Sequence, residues 1–159
     1  MRGLMMDTPL LISSLLEHAT AVHGASEIVT RTVEGPVHRY TWAQAAQRAR
    51  QLAQALESLS VREGDAVATI AWNTHRHLEL YYGVSGMGAI VHTVNPRLHP
   101  SQVAYVLNHS QDRVLFVDLT FLPLAEAVWD SLETVKHLVV LTDRAHMPET
   151  RVPGALCYE

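Results

Sequence analysis

The chain has 159 residues, which is enough for one domain with a buried core. Hydrophobic residues make up 48% and charged residues 18%, with a formal net charge of −4 and no run of lysine or arginine. Nucleic-acid binders usually show a basic stripe, so we expect no nucleic-acid partner. The single cysteine, Cys157, excludes a disulfide framework within the chain and a multi-cysteine zinc site, and it favours a reducing compartment.

The N-terminal stretch predicts an amphipathic helix. Thr8 is the expected N-cap and Pro9 the first helical residue. One stripe of this helix carries Leu11, Leu15, Ala19 and Val22. A secretory signal peptide is the alternative, because Arg2 precedes an apolar stretch that ends in an A-x-A pattern. Charged residues interrupt the stretch and flank the pattern, so we favour the helix. No stretch has the length of a transmembrane helix.

A hairpin and a long helix come next. Residues 26–33 and 37–41 read as two short strands, joined by the turn Glu34-Gly35-Pro36. Thr41 and Gln44 have the spacing of a capping box, which predicts the start of a helix. Apolar residues then recur at helical spacing as far as Leu59, with glutamines and an arginine on the other face.

From residue 66 onward, apolar strands alternate with helices. The predicted strands are 66–72, 89–94, 113–118 and 137–142. Helices are expected from Asn73 or Thr74 to about Gly86–Gly88, from Pro100, and over 120–134. No element is convincing from Asp143 on. The alternation predicts an α/β fold with a mostly parallel sheet and helices on both faces, plus the short N-terminal hairpin.

A glycine cluster in GVSGMGAIVHTVNPRLHP (83–100) suggests a phosphate site at first sight. A dinucleotide fingerprint reads G-x-G-x-x-G and opens a helix, whereas Gly83, Gly86 and Gly88 read G-x-x-G-x-G and close one. Carbonyl groups and the negative end of the dipole lie at a helix C-terminus, and they repel phosphate. We therefore expect one glycine to stop the helix and the others to permit close helix–sheet approach.

No other constellation assembles an active site. His75 and His77 are two residues apart, which points them to different faces of a helix, so solvent-facing or supporting histidines are expected rather than a metal pair. Neither Ser85 nor Cys157 has the setting of a nucleophile. Asp118 follows a buried strand, where α/β folds place functional carboxylates, although a turn or cap residue is the commoner use. The Tyr81-Tyr82 pair is expected in the core.

Residues 71–118 resemble the N-terminal region of the adenylate-forming enzymes, specifically the fatty acyl-CoA synthetases. The similarity covers the whole chain in linear order, from the Met5-Met6 to Leu16 region onward. It is most similar to the medium-chain acyl-CoA ligases. The residues that carry it are Trp72-Asn73, the Glu79-to-Gly88 helix, His92-Thr93, Asn95-Pro96-Arg97-Leu98, Tyr105-x-Leu107-Asn108-His109, Tyr40-Thr41-Trp42 and Gly64-Asp65.

The resemblance implies an ATP-dependent ligase that forms an acyl-adenylate and then an acyl-CoA. Such enzymes use ATP, Mg²⁺ and coenzyme A, act on fatty acids, here expected to be medium-chain, and work in the cytoplasm. This chain resembles only their first α/β subdomain, over residues 1–142, with 143–159 as an irregular segment leading to the remainder. The family's phosphate loop and catalytic lysine come later than Glu159. The resemblance therefore assigns no catalytic, cofactor-binding or metal residue here and predicts no bound cofactor and no activity for this piece alone.

Two other hypotheses stay open at the level of the sequence. The first is a standalone α/β module for dimerisation or interaction, because no active site is assembled in a chain of ample length; a homodimer is also compatible with the ligase hypothesis. The second is a small flavodoxin-like or receiver-like domain, which needs ligands at the carboxyl ends of its strands. Only Asp118 answers that description.

Overall fold

The computed structural model describes residues 7–159. The parts of the signal-peptide alternative and of the family resemblance that rest on Arg2 and Met5-Met6 lie outside this range. The elements follow in chain order: α1 (Ile12–His23), β1 (Glu27–Arg31), β2 (Val37–Thr41), α2 (Trp42–Ser58), β3 (Ala66–Ile70), α3 (His75–Gly86), β4 (Ile90–Thr93), α4 (Pro100–His109), β5 (Val114–Val117), α5 (Leu122–Val128), β6 (His137–Val140) and β7 (Leu156–Cys157). Single 3₁₀ turns flank α5 on both sides.

The main sheet is parallel throughout, with strand order β4-β3-β5-β6-β7. Helices α2 and α3 cover one face, and α4 and α5 cover the other. Residues of β3 and β5 are buried along their full length, as continuous apolar runs require. Strands β1 and β2 form a separate antiparallel hairpin. The predicted fold class, a mostly parallel α/β sheet with helices on both faces and a hairpin, is confirmed.

Helix α2 begins where the capping box predicts. The backbone N–H of Gln44 donates to the Thr41 hydroxyl at 3.3 Å, and the Thr41 N–H donates to Gln44 Oε1 at 2.8 Å. These two bonds satisfy donors that the first turn of a helix leaves free. Helix α4 has the same arrangement, in which His99 takes the place of the hydroxyl residue and Pro100 follows as the first helical residue.

Helix α1 departs from its prediction in both its start and its orientation. It begins at Ile12 with Leu11 as N-cap, and no side chain caps it, so the expected start at Thr8 and Pro9 is wrong. The predicted stripe faces solvent, with Leu11, Leu15 and Val22 all exposed. Leu16, one position along, makes the buried contact against Ala46 and Ala49 of α2.

Helix α3 also buries a different face from the one that its apolar residues predict. Leu80 and Val84 are fully buried, whereas Tyr81 is exposed and Tyr82 only partly covered, so the expectation of a Tyr81-Tyr82 core pair is wrong. The reason is that the buried face carries polar side chains that are satisfied by partners elsewhere in the fold, which hides its periodicity.

The last strand was not visible in the sequence. No element is predicted after Asp143, but Leu156 and Cys157 pair with Val139 and Val140 and extend the parallel sheet. A strand of two residues leaves too little pattern to detect. The chain after β6 therefore returns to the sheet instead of remaining irregular to residue 159.

Candidate functional site

The carboxyl ends of the parallel strands meet at one edge of the sheet, where α/β folds place their ligand sites. Trp72 follows β3, Asp118 follows β5, Thr142 follows β6, and Tyr158 with Glu159 follows β7. The first turn of α3 and the tip of the β1–β2 hairpin lie against the same edge, through contacts made by Arg76 and Glu34. This edge, which we call the carboxyl edge, is the candidate functional site.

Asp118 ties the ends of two neighbouring strands together. Its side chain is fully buried, and Oδ2 accepts a hydrogen bond of 2.6 Å from the backbone N–H of Trp72. Its other oxygen, Oδ1, has no partner among the described residues. Burial raises the pKa of Asp118 to about 6, and the bond from Trp72 opposes this rise only in part. The structure thus gives Asp118 the structural role, fixing the turn after β3.

Beside Asp118, five charged side chains form what we call the ion cluster: Glu34, Arg48, Arg76, Glu79 and Glu159. Arg48 Nε donates to Glu79 Oε1 at 2.7 Å, and Arg48 Nη2 donates to Glu159 Oε1 at 3.0 Å. Arg76 donates to the same Glu159 oxygen at 3.0 Å and to Glu34 Oε1 at 2.8 Å. The cluster joins the hairpin, α2, α3 and the chain after β7.

Neighbouring polar groups complete the cluster. The Tyr158 hydroxyl donates to Glu79 Oε2 at 2.6 Å, and the Thr142 hydroxyl donates to Glu34 Oε1 at 2.9 Å. Arg76 also donates to the backbone carbonyl of Leu141 at 3.1 Å. Buried charges are tolerated when their hydrogen-bonding capacity is met in this way. The charged groups are therefore held by one another, although Glu34 Oε2 is buried without a partner among the described residues.

Burial and charge shift the pKa values of the cluster in a consistent way. Burial alone would raise the pKa of Glu159, but the nearby His75, the hydrogen bond from Arg76 and the charges of the two arginines lower it to about 2. The pKa of Glu34 is lowered for similar reasons, with its own backbone N–H, Thr142 and Arg76 outweighing burial. Burial and the nearby Glu79 raise the pKa of Tyr158 well above its ordinary value. The carboxylates of Glu34 and Glu159 are thus ionised at neutral pH, while Tyr158 remains a hydrogen-bond donor.

The two histidines that flank Arg76 lie in different surroundings. The ring of His75 stacks on that of His38, with centroids 4.0 Å apart, and its Nε2 lies 3.9 Å from Glu159. The Nε2 of His77 instead lies 3.1 Å from the hydroxyl of Thr69 on β3. Both rings are buried, so of the two expected roles, solvent-facing or supporting, the solvent-facing one is wrong and these contacts are of the supporting kind. Among residues 7–159 no group of three or more histidine, cysteine or acidic side chains is arranged to hold a metal ion.

A cavity of about 430 Å³ opens beside the ion cluster. Its walls include Glu34, Arg48, Arg76 and Glu159, together with the stacked histidines. An anion entering it would face two carboxylates that already hold the guanidinium groups. The arrangement is therefore suited to holding segments of the chain together rather than to binding phosphate.

The glycine cluster closes α3. Gly88 has a φ of +82°, and its N–H and that of Ala89 bond to the carbonyls of Ser85 and Val84, which is a Schellman motif. Gly83 permits close approach, but to α2 instead of the sheet, because a Cβ there would lie 2.8 Å from the Ala49 carbonyl oxygen. Gly86 has open space around it. The helix stop is as predicted, and the close contact is between two helices.

The structure also brings Ser110, His92 and Asp112 together, a grouping that the sequence does not predict. Ser110 Oγ and Asp112 Oδ2 lie 3.0 and 2.7 Å from the same nitrogen of His92, Nδ1. A hydrolytic triad needs the serine and the acid on opposite nitrogens, so this group cannot relay a proton. Cys157 Sγ lies 3.2 Å from the Thr142 carbonyl oxygen, to which it donates. Only the folded chain reveals the first grouping, since His92 and Asp112 are 20 residues apart.

The fold and its carboxyl edge define an α/β scaffold whose charged groups are paired with one another. The profile of the family described as "AMP-binding enzyme" matches residues 16–155, and the chain belongs to this family. The predicted resemblance to adenylate-forming enzymes is thus confirmed.

Individual relatives are CoA ligases. The chain is 48% identical to the 3-methylmercaptopropionyl-CoA ligase of Ruegeria lacuscaerulensis, over 100% of this chain and 30% of that protein. It is 49% identical to the long-chain-fatty-acid–CoA ligase of Thermus thermophilus, over 98% of this chain and 28% of that protein. It is 45% identical to the medium-chain-fatty-acid–CoA ligase of Ectopseudomonas oleovorans, over 100% and 29%. The chain therefore spans about 30% of the length of the relatives it matches.

Solved structures agree with the fold. The anthranilate CoA ligase AuaEII in complex with anthranoyl-AMP superposes with a TM-score of 0.74 at 29% identity, over 85% of this chain and 26% of that one. A fatty acyl CoA synthetase of Mycobacterium tuberculosis gives a TM-score of 0.70 at 25% identity, over 82% and 26%. The described residues thus adopt the fold of one part of these larger enzymes.

Proposed function

We propose that this chain is the first α/β unit of an ATP-dependent fatty acid–CoA ligase. In the proposed reaction the carboxylate attacks the α-phosphate of ATP, which gives an acyl-adenylate and releases pyrophosphate. The thiol of coenzyme A then displaces AMP and leaves the acyl-CoA. The observation that carries the proposal is identity of 45–49% along essentially the whole chain to three CoA ligases. Mg²⁺ is the expected counterion of ATP.

Within this enzyme the chain would act as a scaffold without catalytic residues. Both arginines of the ion cluster donate to carboxylates, and no described group has the geometry of a metal centre or a nucleophile with its base. The proposed subdomain covers residues 1–142, and 143–159 leads to the remainder. The boundary at residue 142 stays a prediction. Strand β7 counts against it, because residues 156–157 join the same sheet.

A medium-chain fatty acid is the proposed substrate. Support comes from the Ectopseudomonas oleovorans relative, whose name specifies such acids. The other two relatives are named for a thioether acid, 3-methylmercaptopropionate, and for long-chain fatty acids. A test of activity must therefore include acids of all three classes. We propose the cytoplasm as the location because ATP and coenzyme A are abundant there. Among residues 7–159 no helix has the length and apolarity to cross a membrane.

ATP–pyrophosphate exchange and coenzyme A consumption test the proposal. We would express the complete reading frame that contains this sequence and, in parallel, the 159-residue chain. Each protein would be supplied with octanoate, palmitate, 3-methylmercaptopropionate or no acid. The longer protein should show acid-dependent exchange, highest with octanoate, whereas the 159-residue chain should show none.

The outcomes separate the hypotheses. No exchange by the longer protein with any acid would favour an interaction module without catalysis. Exchange by the 159-residue chain itself would contradict the scaffold role. A preference for palmitate or the thioether acid would leave the ligase proposal intact but overturn its substrate class.

A further inference from the structure

A cavity of about 280 Å³ lies between strand β1 and the first turns of helix α3. Ile28 and Val29 line it from β1, and Leu78 and Tyr81 line it from α3. Thr74, the N-cap residue of α3, lies in the same wall. The cavity thus joins an apolar surface to the N-terminus of a helix of 12 residues.

Several hydrogen-bond donors at this helix N-terminus have no acceptor. The hydroxyl of an N-cap threonine usually accepts a bond from the first turn, but Thr74 makes no such bond, and its Oγ1 has no partner among residues 7–159. The backbone N–H groups of His75, Arg76 and His77 also have no acceptor within this range. These four residues are between 2% and 7% exposed, so bulk water contributes little. Buried donors of this kind nearly always have a partner, and here the described chain supplies none.

The charge around the cavity favours an anion over a cation. The N-terminus of a helix carries the equivalent of about half a positive charge, and its N–H groups bind carboxylates and phosphates. No aspartate or glutamate of the described chain lines this cavity, in contrast to the one beside the ion cluster. No arginine or lysine of residues 7–159 lines it either, which favours a singly charged carboxylate over a phosphate. Burial lowers the pKa of His77, which also lines the cavity, so this ring is neutral at pH 7.

The size and walls of the cavity narrow the class of ligand further. Pockets for small molecules are usually about 300–1,000 Å³, so this cavity suits a molecule of a few carbon atoms. Ile28, Val29 and Leu78 offer surface to an apolar chain. The ring of Tyr81 is 42% exposed beside that of His77, with centroids 4.9 Å apart, so a chain bound here would remove further apolar surface from water. The site therefore fits a short chain that ends in a carboxylate.

We propose that this cavity binds a small monocarboxylate with a short apolar chain. The Thr74 hydroxyl and the N–H groups of the first turn of α3 donate to the carboxylate, and the chain lies against Ile28, Val29, Leu78 and Tyr81. The proposal is independent of the ligase function, because it rests on residues 28–81 alone. It adds a site for a free acid to a chain in which no catalytic group is assigned.

Titration of the isotope-labelled 159-residue chain with hexanoate, followed by amide chemical shifts, tests the proposal. Hexanoate should move the signals of residues 28–30 and 73–78 with a dissociation constant on the order of 1 mM, as expected for a small ligand with few contacts. Pentylammonium has the same five-carbon chain with the opposite charge, and it should leave these signals unchanged. Acetate lacks the chain and should bind at least about fivefold more weakly.

Substitution of Thr74 tests the role of its hydroxyl. Thr74→Val removes the donor, so the dissociation constant for hexanoate should rise at least about fivefold, whereas Thr74→Ser keeps the donor and should bind like the wild type. Thr30→Val is the matched control and should also bind like the wild type: Thr30 lines the same cavity, but its hydroxyl already donates to the Arg31 carbonyl oxygen at 3.5 Å. Without hexanoate, Thr74→Val should melt at the same temperature as the wild type or a higher one, because it removes a buried hydroxyl that has no partner among the described residues.

Several results would overturn the proposal. These are unchanged signals of residues 73–78 in about 20 mM hexanoate, equal affinity of the wild type and Thr74→Val, equal weakening by Thr74→Val and Thr30→Val, and equal shifts with pentylammonium. A lower melting temperature of ligand-free Thr74→Val would also contradict it, since the hydroxyl would then have a partner in the empty protein. The assay needs no catalysis, so a failure of the ligase proposal leaves its outcome unaffected.

Discussion

The contact between α2 and α3 makes a sharp prediction at Gly83. A Cβ at this position would lie 2.8 Å from the Ala49 carbonyl oxygen and 2.9 Å from Leu52 Cδ2. Carbon atoms pack favourably at about 3.5–4.0 Å, so α3 must move away from α2 or Leu52 must leave its rotamer. Overpacking of this kind costs about 1–3 kcal/mol, and the helix propensity of alanine returns about 1 kcal/mol. We expect Gly83→Ala to lower the free energy of unfolding by up to about 2 kcal/mol.

Gly86 lies in the same helix and provides the matched control. A Cβ there meets nothing within 4 Å, and its φ is not in the left-handed region. Gly86→Ala should therefore leave stability unchanged or raise it by up to about 1 kcal/mol. Urea and thermal unfolding, followed by circular dichroism at the helical band, measure both variants. Since 1 kcal/mol moves the Tm of a chain of this size by about 2–4 °C, the two melting temperatures should differ clearly.

A second substitution locates the source of the strain. Leu52→Ala removes the flexible neighbour of Gly83 but leaves the Ala49 carbonyl in place. In a Leu52→Ala background, Gly83→Ala should still be destabilising, by less than in the wild type. Equal stability of Gly83→Ala and Gly86→Ala would refute the close-contact reasoning. So would complete relief of the cost by Leu52→Ala, because the backbone carbonyl would then not be an obstacle.

Two further predictions concern the carboxyl edge. Asp118 has a folded-state pKa of about 6 against an ordinary 3.8, so its stabilising contribution is present in acid and is lost as the pH rises through 6. Asp118→Asn keeps an acceptor for the Trp72 N–H but does not ionise. Between pH 4.5 and pH 7.5 its free energy of unfolding, measured with urea, should therefore rise by about 2 kcal/mol relative to that of the wild type; a difference between the two proteins that does not change with pH would contradict this. In the ion cluster, Arg48→Met leaves the wholly buried Glu79 without its cation and should cost about 3–5 kcal/mol. Glu79→Gln should cost less, because the Arg48 side chain is 31% exposed and water can solvate it; the opposite order in urea unfolding would overturn this account.

Local sequence signals predict the parts of the fold that local physics decides. The capping box at Thr41 and Gln44 marks the start of α2 to the residue, and continuous apolar runs mark β3 and β5 as buried strands. Those signals depend on neighbours within a few residues along the chain, so the sequence alone contains them.

The ion cluster could not be predicted in the same way. Arg48 and Glu159 are 111 residues apart, and Arg76 and Glu34 are 42 apart. The pairing of such residues depends on the finished topology, and no periodicity in the sequence predicts it. The same pairs bury polar residues on α3, so the buried face of that helix was misassigned from its tyrosines. For α1 the failure has another cause: its stripe is apolar as predicted, but the side chain that packs against α2 is Leu16, one position along from the stripe.

The ion cluster also bears on where the proposed ligase would hold its nucleotide. Arg48 and Arg76 are the basic groups in the wall of the 430 Å³ cavity, and Glu34, Glu79 and Glu159 already accept their hydrogen bonds. A phosphate that bound here would compete with these carboxylates for the two guanidinium groups, and a carboxylate that lost its partner in the interior would cost several kcal/mol. The ion cluster is therefore a poor site for the phosphates of a nucleotide. The cluster's own contribution is to fix the chain after β7 against α2 and α3.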